Sequence, residues 1–263
     1  MAEDDDFDAE LSGERPGRLG GLRRRGIYLL PNLFTTGVLF AGFFAIVQAI
    51  NGRFDTAGIA VFVAMVLDGM DGRVARWTHT QSEFGAQYDS IADMVAFGAA
   101  PALIAYEWAL KDLGTAGWIG AFIYCAAAGI RLARFNANIG IVDKRYFQGL
   151  PSPSGAAVMT GFVWALTDFG FRPPDSFWLP LLAWLVAVFA GITMVSNVPF
   201  WSFKEVNWKK RVPLWVILAC IIGLSVVASR PSLILFALFF AYSLSGYVMW
   251  TRGHRARSVL PEE

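Results

Sequence analysis

Cysteine, histidine and charged side chains are all scarce in this chain. Its 263 residues include two cysteines and two histidines, and only 16% of the residues are charged. Cys125 and Cys220 both fall within apolar stretches and predict no disulfide framework. His79 and His254 are too few and too far apart for a zinc site. The sequence therefore excludes a disulfide scaffold and a histidine-based metal centre.

The low charge content accompanies a strongly apolar composition. Hydrophobic residues make up 56% of the chain, and the mean hydropathy is +0.48. These values are typical of a polytopic membrane protein and too apolar for a soluble domain. Eight apolar stretches are each long enough to span a bilayer: 27–50, 55–76, 85–109, 115–135, 152–169, 177–200, 212–229 and 232–250. We predict an all-α membrane protein with about eight transmembrane helices and no nucleic-acid partner.

The basic residues predict the orientation of these spans. If both termini lie in the cytoplasm, only four of the 22 Lys and Arg residues fall in outside segments: Arg53, Lys111, Arg172 and Arg230. This asymmetry is a strong positive-inside signal, and it requires an even number of spans. We therefore expect both termini in the cytoplasm.

Two pairs of aspartates interrupt the apolar sequence. Asp68 and Asp71 are three residues apart, and Asp89 and Asp93 are four apart, so each pair lies on one face of its helix. Charged groups at membrane depth are costly and persist mainly where they do chemistry or transport. Converging carboxylates need a positive partner, and divalent cations with oxygen ligands supply one.

The two pairs are expected to meet. The second and third spans form a hairpin, and with its turn centred on Thr80, Asp71 lies nine residues before the turn and Asp89 nine after it. Asp68 lies twelve before and Asp93 thirteen after, so antiparallel helices of equal rise place all four carboxylates at one depth near the cytoplasmic side. Two ions can share such bridging oxygens.

Small and basic residues beside the aspartates are suited to a phosphate ligand. Gly72 and Ala75 keep this helix face shallow, and Gly85 opens the facing helix. Arg76 is a fork-shaped donor that matches phosphate oxygens. The set predicts a pyrophosphate site. Two other roles for the aspartates stay open. They could form an ion-pair network with nearby arginines, or they could carry ions in a cation transporter.

The aspartate stretch resembles the signature of the CDP-alcohol phosphatidyltransferases, membrane enzymes that move a phosphatidyl group from a CDP-activated lipid to an alcohol. All eight fixed positions of the pattern are present: Asp68, Asp71, Gly72, Ala75, Arg76, Gly85, Asp89 and Asp93. The resemblance implies a six-helix catalytic core, a homodimer, and two divalent ions, Mg²⁺ or Mn²⁺, held by the four aspartates. It also implies that Asp93 is the catalytic general base.

The resemblance further implies a nucleotide pocket for the CDP-lipid. Pro31, Asn32 and Thr35 open the first span at a similar depth, and by resemblance they line this pocket with Gly72, Arg76 and Ser82. Without the family, the same residues are typical of an ordinary helix start.

Further stretches resemble one branch of the family, the integral-membrane phosphatidylserine synthases. They are Asp89–Asp93 running on to Phe97–Ala102, then Arg131–Asn136, Phe147–Pro153 and Met194–Phe200. The branch implies transfer from CDP-diacylglycerol to L-serine with release of CMP. Glycerol 3-phosphate, inositol phosphate or choline as acceptor, or an archaeal lipid as donor, remain alternatives.

An amino-acid acceptor also agrees with the residues of the fourth span. Arg131 and Arg134 are three residues apart near its cytoplasmic end, where a bidentate contact to a carboxylate is possible. Asn136 offers further hydrogen bonds. We therefore predict these three as serine-binding residues, against the alternative that the arginines are topogenic charges that snorkel to the interface.

These expectations divide the chain into four parts. Residues 1–25 carry an acidic run and then glycine and arginine without an apolar core, which predicts a disordered cytoplasmic tail with a basic juxtamembrane patch and no cleavable signal peptide. Residues 26–205 are the expected catalytic core, 206–251 two additional transmembrane helices, and 252–263 a basic cytoplasmic tail. We expect a bacterial inner (plasma) membrane protein whose active site faces the cytoplasm and whose other partners are membrane lipids.

Overall fold

The computed structural model describes residues 18–78, 82–137, 146–171, 173, 178–201 and 214–257. Side chains are described throughout these ranges except at 18–31, 75, 76, 78, 146, 147, 214, 217, 220 and 252–257. Most of the predicted N-terminal tail, the predicted turn centre Thr80 and the side chains of the predicted C-terminal tail therefore lie outside the described residues.

The described part of the chain is mostly helical, as the composition predicts. In chain order the helices are α1 (Arg18–Ile50), α2 (Phe54–Thr78), α3 (Glu83–Asp93), α4 (Ala100–Trp108), α5 (Thr115–Ala137), α6 (Ser152–Asp168), α7 (Trp178–Val195), α8 (Leu214–Ser229) and α9 (Pro231–Arg257). A π-helical turn, Met94–Ala99, joins α3 to α4, and a short 3₁₀ helix, Leu110–Leu113, precedes α5. Each predicted apolar stretch thus falls mainly on helix, the third being α3, the π-turn and α4 in series. The sixth, 177–200, was predicted too long, because α7 ends at Val195 and the chain then enters a short strand, Pro199–Trp201.

Four helical segments are long and apolar enough to cross a membrane by length and composition. They are Asn32–Ile50 in α1, Thr115–Ala137, Trp178–Val195 and Pro231–Thr251 in α9. Two others, α6 and α8, are slightly shorter at 17 and 16 residues. A helical membrane protein is therefore supported, whereas the count of eight spans stays a prediction.

The helices pack through small side chains. The pairs α1–α2, α5–α7 and α6–α9 lie against one another, and alanine dominates the buried core that they share. Small residues let helix backbones approach closely, the usual way of packing helices in a membrane. Gly42 of α1 is an example, since a Cβ there would lie 2.6 Å from Cα of Ala96. None of the described side chains of α8 is buried.

A short antiparallel ribbon lies beside the helix ends. Strand β1 (Tyr146–Gln148) pairs with β2 (Pro199–Trp201), and Phe147 lies opposite Phe200. The fully buried ring of Phe200 contacts Tyr242 of α9 at a centroid distance of 5.6 Å. The ribbon therefore joins the segment before α6 to the segment after α7 and seats both on α9.

Candidate active site

The structure brings three of the predicted metal ligands together. One carboxylate oxygen from each of Asp68, Asp71 and Asp89 lies within 4.8 Å of the others. Asp71 is buried at 5% exposure, and the other two are half-buried. Like charges at this separation repel in a poorly solvated site, so the arrangement is the one that a shared cation stabilises.

The grouping follows from where the two helices end and begin. α2 continues to Thr78, and α3 starts at Glu83 after Ser82, whose Oγ accepts a hydrogen bond of 3.0 Å from the backbone N–H of Gly85. Serine is a favoured N-cap because it satisfies a helix donor that has no partner within the helix. This cap fixes where α3 begins and therefore which of its residues face α2.

Asp93 lies one helical turn beyond Asp89 and is outside the group of three. It interacts electrostatically with Asp68, Asp89 and Asp71, and with Arg131 of α5. Its Oδ1 is buried and has no hydrogen-bond partner among the described residues. A buried carboxylate oxygen without a partner is costly, so this atom fits a cation or a substrate proton as its missing partner.

The donor chemistry of the cluster fits hard divalent cations. All four candidate ligands are carboxylates, and Mg²⁺ and similar ions prefer oxygen. The grouped oxygens and the unpartnered Oδ1 of Asp93 both agree with that assignment. The four aspartates therefore form an acidic centre whose donor chemistry fits hard divalent cations.

Helix α1 supports the cluster from the side. Thr35 donates from Oγ1 to Oδ2 of Asp71 across 3.1 Å, and both residues are buried. Its neighbour Thr36 donates to the carbonyl of Asn32 at 2.7 Å and pairs with the hydroxyl of Tyr88 at 3.0 Å. The polar start of the first span thus contacts both carboxylate-bearing helices.

Several predicted CDP-lipid-binding residues lie together at this end of the molecule. A Cβ on Gly85 would lie 3.5 Å from Oδ1 of Asn32 and 3.1 Å from Oγ of Ser82, so these three residues are neighbours. Gly72 follows Asp71 directly and is half-buried. The side chains of three further predicted residues fall outside the described set: Pro31, Ala75 and Arg76.

The predicted serine-binding residues differ in what they contact. Arg131 donates from Nη1 to Oγ of Ser152 at 2.6 Å, while its buried Nε has no partner among the described residues. Its electrostatic partners include Asp93 and Asp68. This guanidinium therefore borders the acidic cluster and retains a free donor.

Arg134 is held by the ribbon. Its Nη2 donates to Oδ1 of Asn197 at 2.6 Å and to Oε1 of Gln148 at 3.1 Å, and its Nη1 donates to the carbonyl of Val195 at 3.3 Å. These oxygens belong to neutral groups on both sides of the ribbon. The arginine thus joins α5 to β1 and to the segment between α7 and β2.

Asn136 contacts the carboxylate-bearing helix. Its Nδ2 donates to Oγ of Ser90 at 2.8 Å, and Ser90 donates in turn to the carbonyl of Ala86 at 3.0 Å. Because Ser90 follows Asp89, this hydrogen bond ties the end of α5 to the middle of α3.

Sequence reasoning did not assign Ser152, Gln148 or Asn197 to the site. The first two belong to the stretch Phe147–Pro153, which carries part of the resemblance to the family branch. The stretch is anchored at Gly149, which has a positive φ of 77° and whose N–H donates to the carbonyl of Val198 at 2.9 Å. The sequence offered one signal for Ser152, Gln148 and Asn197, which is that each is a polar residue at a fixed distance from turn residues. Only the folded chain shows that the three contact arginines.

Comparison with known proteins agrees with the geometry. The family model described as CDP-alcohol phosphatidyltransferase matches residues 28–195. A curated CDP-diacylglycerol–serine O-phosphatidyltransferase of Helicobacter pylori is 36% identical over 224 residues, covering 85% of this chain and 92% of its own. The enzyme of that name in Mycobacterium tuberculosis is 32% identical over 231 residues, covering 86% and 79% respectively.

Similar proteins extend beyond bacteria. In Methanocaldococcus jannaschii a protein with the same name is 31% identical over 195 residues, covering 73% of this chain and 83% of its own. Among solved structures, the phosphatidylinositol phosphate synthase of Mycobacterium tuberculosis with CDP-DAG bound is 20% identical, covers 74% of this chain and 96% of its own, and has a TM-score of 0.49. From the family match and the sequence relatives, the chain belongs to the CDP-alcohol phosphatidyltransferase family.

Proposed function

We propose that this protein transfers a phosphatidyl group from CDP-diacylglycerol to the hydroxyl of L-serine, giving phosphatidylserine and CMP. The observation that carries the proposal is the acidic cluster of α2 and α3 bordered by Arg131. Family membership supports the donor and the reaction type, and the names of the relatives support serine as the acceptor.

The acidic cluster is the proposed metal centre. Asp68, Asp71, Asp89 and Asp93 would hold two divalent ions, Mg²⁺ or Mn²⁺, which neutralise charge on the pyrophosphate as CMP leaves. Thr35 fixes the orientation of Asp71 by donating to one of its oxygens.

The donor would bind at the shared end of α1, α2 and α3. Asn32, Ser82 and Gly85 are neighbours there, and the half-buried Gly72 follows Asp71 directly. We assign the nucleotide and pyrophosphate to this surface, together with Thr35 and, by their match to the family signature, Pro31, Ala75 and Arg76. The acyl chains would stay among the membrane lipids, where the outward-facing apolar side chains lie.

The acceptor would enter between α3 and α5. Arg131 has a free Nε beside Asp93, so it is the proposed partner of the serine carboxylate. Arg134 and Asn136 would shape this pocket, since each is fixed to a neighbouring segment by hydrogen bonds. A phosphorylated acceptor would call for more cationic side chains than these.

The chemical step exchanges one phosphorus–oxygen bond for another. Asp93 takes the proton of the serine hydroxyl, whose oxygen then attacks the phosphorus attached to diacylglycerol. A bond forms from the serine oxygen to that phosphorus, and the bond to the CMP oxygen breaks. Because Asp93 Oδ1 has no hydrogen-bond partner among the described residues, it is available to accept this proton.

The proposed location follows from the charge pattern. With eight spans and both termini in the cytoplasm, the acidic cluster lies near the cytoplasmic face of a bacterial inner membrane, where serine and CMP are available. We also propose a homodimer, as the family resemblance implies.

Acceptor screening of purified protein tests the function. CMP release from CDP-diacylglycerol would be followed with serine, glycerol 3-phosphate, inositol phosphate or choline, and the lipid product identified. We expect CMP release when serine is the acceptor, and a lipid product that contains serine. Equal or faster release with glycerol 3-phosphate would refute the serine assignment, and no release with any acceptor would refute the reaction itself.

A further inference from the structure

A π-helical turn separates the carboxylates from the core helix that follows them. Asp93 is the last residue of α3, and the turn Met94–Ala99 begins directly after it. At the end of the turn, the N–H of Ala100, the next residue, donates five residues back, to the carbonyl of Val95. One extra residue in a helix rotates everything beyond it by about 100°. The aspartates can therefore face α2 while α4 presents a different face to the core.

Pro101 gives a physical reason for the turn. Proline has no N–H, and its ring collides with the carbonyl four residues earlier, which here belongs to Phe97. The carbonyl of Phe97 thus loses its α-helical donor and must tilt away from the ring. Phe97 itself is fully buried, so water cannot replace the lost partner.

Tyr124 of α5 supplies a donor in place of the α-helical one. Its hydroxyl donates to the carbonyl of Phe97 across 3.0 Å, and Tyr124 is also fully buried. The two residues are 27 positions apart in the sequence. This hydrogen bond fastens the π-turn to α5, the helix that carries Arg131.

Close packing restricts the turn on two sides. A Cβ on Gly42 of α1 would lie 2.6 Å from Cα of Ala96, so α1 touches the backbone of the turn. A Cβ on Gly98 would lie 3.0 Å from Sδ of Met94 and 3.4 Å from Cβ of Ala128 on α5. With so little space, the direction of the Phe97 carbonyl sets the path of the chain that leaves Asp93.

We propose that Tyr124 is a positioning residue for the phosphatidyl transfer. It donates to the carbonyl whose α-helical donor Pro101 removes, holds the π-turn in register, and so sets the position of Asp93 relative to the other aspartates and Arg131. Its role in turnover rests on the proposed function, whereas its role in holding the turn does not.

The test combines two conservative substitutions. Tyr124→Phe removes only the hydroxyl, and Pro101→Ala restores an N–H that can reach the carbonyl of Phe97. We expect Tyr124→Phe to lower kcat at least about fivefold, with KM for CDP-diacylglycerol and serine within about twofold of the parent values. In the Pro101→Ala background the same substitution should lower kcat by less than about twofold, because the carbonyl then has another donor.

A control substitution removes the hydrogen bond of another tyrosine, Tyr247, which is half-buried. Tyr247 on α9 pairs with Oγ1 of Thr193 at 2.8 Å and lies away from the π-turn. We expect Tyr247→Phe to lower Tm while leaving kcat of the folded protein within about twofold. If Tyr247→Phe lowered kcat as much as Tyr124→Phe, the effect would be general and the proposal would fail.

Two further results would overturn the proposal: an unchanged kcat in Tyr124→Phe, or an equal loss of kcat in both backgrounds. Kinetics would be measured with the acceptor that the parent uses best, so a failed serine assignment does not remove the test.

Thermal unfolding in detergent needs no substrate. There, Tyr124→Phe should lower Tm less when Pro101 is replaced, and an equal drop would show that the hydroxyl does not serve the Phe97 carbonyl.

Discussion

Thr35 and Asp71 are joined by a buried hydrogen bond of 3.1 Å that connects α1 to the acidic cluster. The sequence places Thr35 in a nucleotide pocket, by resemblance to the family. In the structure its hydroxyl donates to Oδ2 of Asp71, one of the three carboxylates that the fold groups together. We therefore propose that Thr35 supports the acidic cluster in addition to lining the nucleotide surface.

Replacing Thr35 should weaken metal activation. Thr35→Val keeps the shape and removes the donor, so we expect the Mn²⁺ concentration for half-maximal activity to rise about tenfold. Thr35→Ser should restore the parent value. The matched control is Thr56→Val, because Thr56 donates to Asp55 at 3.4 Å, far along α2 from the cluster. Equal shifts in the two valine variants would contradict the assignment.

Loss of one carboxylate should abolish turnover. Asp89→Asn keeps the volume and removes a charge from the grouped oxygens, and we expect CMP release to fall at least about a hundredfold. Removal of divalent ions with a chelator should have the same effect on the parent protein. Asp55→Asn, which alters an exposed carboxylate at the start of α2, serves as control and should retain activity. Near-normal turnover in Asp89→Asn would exclude the proposed two-ion centre.

The two arginines of α5 should respond differently to lysine. Arg131→Lys loses the planar fork beside Asp93, so KM for serine should rise about tenfold or more while KM for CDP-diacylglycerol changes little. Arg134→Lys breaks contacts to Gln148 and Asn197, so its main effect should be a lower Tm. Kinetics with each substrate varied separately, together with thermal unfolding, measure both effects. A serine KM that responds only to Arg134→Lys would reverse these roles.

Gly149 should be far less tolerant of alanine than Gly170, although both have positive φ, 77° and 78°. A Cβ at Gly149 would meet the carbonyl oxygen of Met194 at 2.2 Å, whereas Gly170 has open space around it. Gly170→Ala should cost only the conformational strain, about 1 kcal/mol. Gly149→Ala should cost about 1–3 kcal/mol more, because the segment after β1 and the end of α7 must move apart. Unfolding of both variants in detergent measures the difference, and similar values would count against a rigid contact between Gly149 and the end of α7.

Thiol labelling tests the orientation. In a background with Cys125→Ser and Cys220→Ser, Asn51→Cys should react with an impermeant reagent added outside intact cells. Ala137→Cys, at the end of α5, should react only after the cells are opened. Both positions are exposed in the structure. The opposite pattern would place the acidic cluster on the outer side of the membrane.

The helices and the acidic cluster were predictable because they depend on local patterns. Apolar runs predict the helices, and the equal distances of Asp71 and Asp89 from the turn predict that the two carboxylates meet. The interaction of Asp93 with Asp68 also agrees with that register. Chain positions alone suffice here because two adjacent antiparallel helices have a fixed rise per residue.

The partners of the arginines and the ribbon were not predictable in the same way. Strands β1 and β2 have three residues each and come from segments about 50 positions apart, so no periodic pattern marks them. The contact of Arg134 with Asn197 spans 63 positions. Such contacts depend on how α5, α6 and α7 pack, which composition and spacing do not encode.

The N-cap at Ser82 has a consequence for how the length of this chain can vary. Since Ser82 fixes the first turn of α3 and the π-turn fixes its end, the eleven residues Glu83–Asp93 form a spacer of constant length. Inserting or deleting one residue inside this spacer would rotate one of its carboxylates away from the acidic cluster by about 100°. An insertion before Ser82 would leave the rotation of α3 about its axis unchanged. Homologous chains that keep the activity should therefore vary in length before Ser82 and hold this spacer fixed.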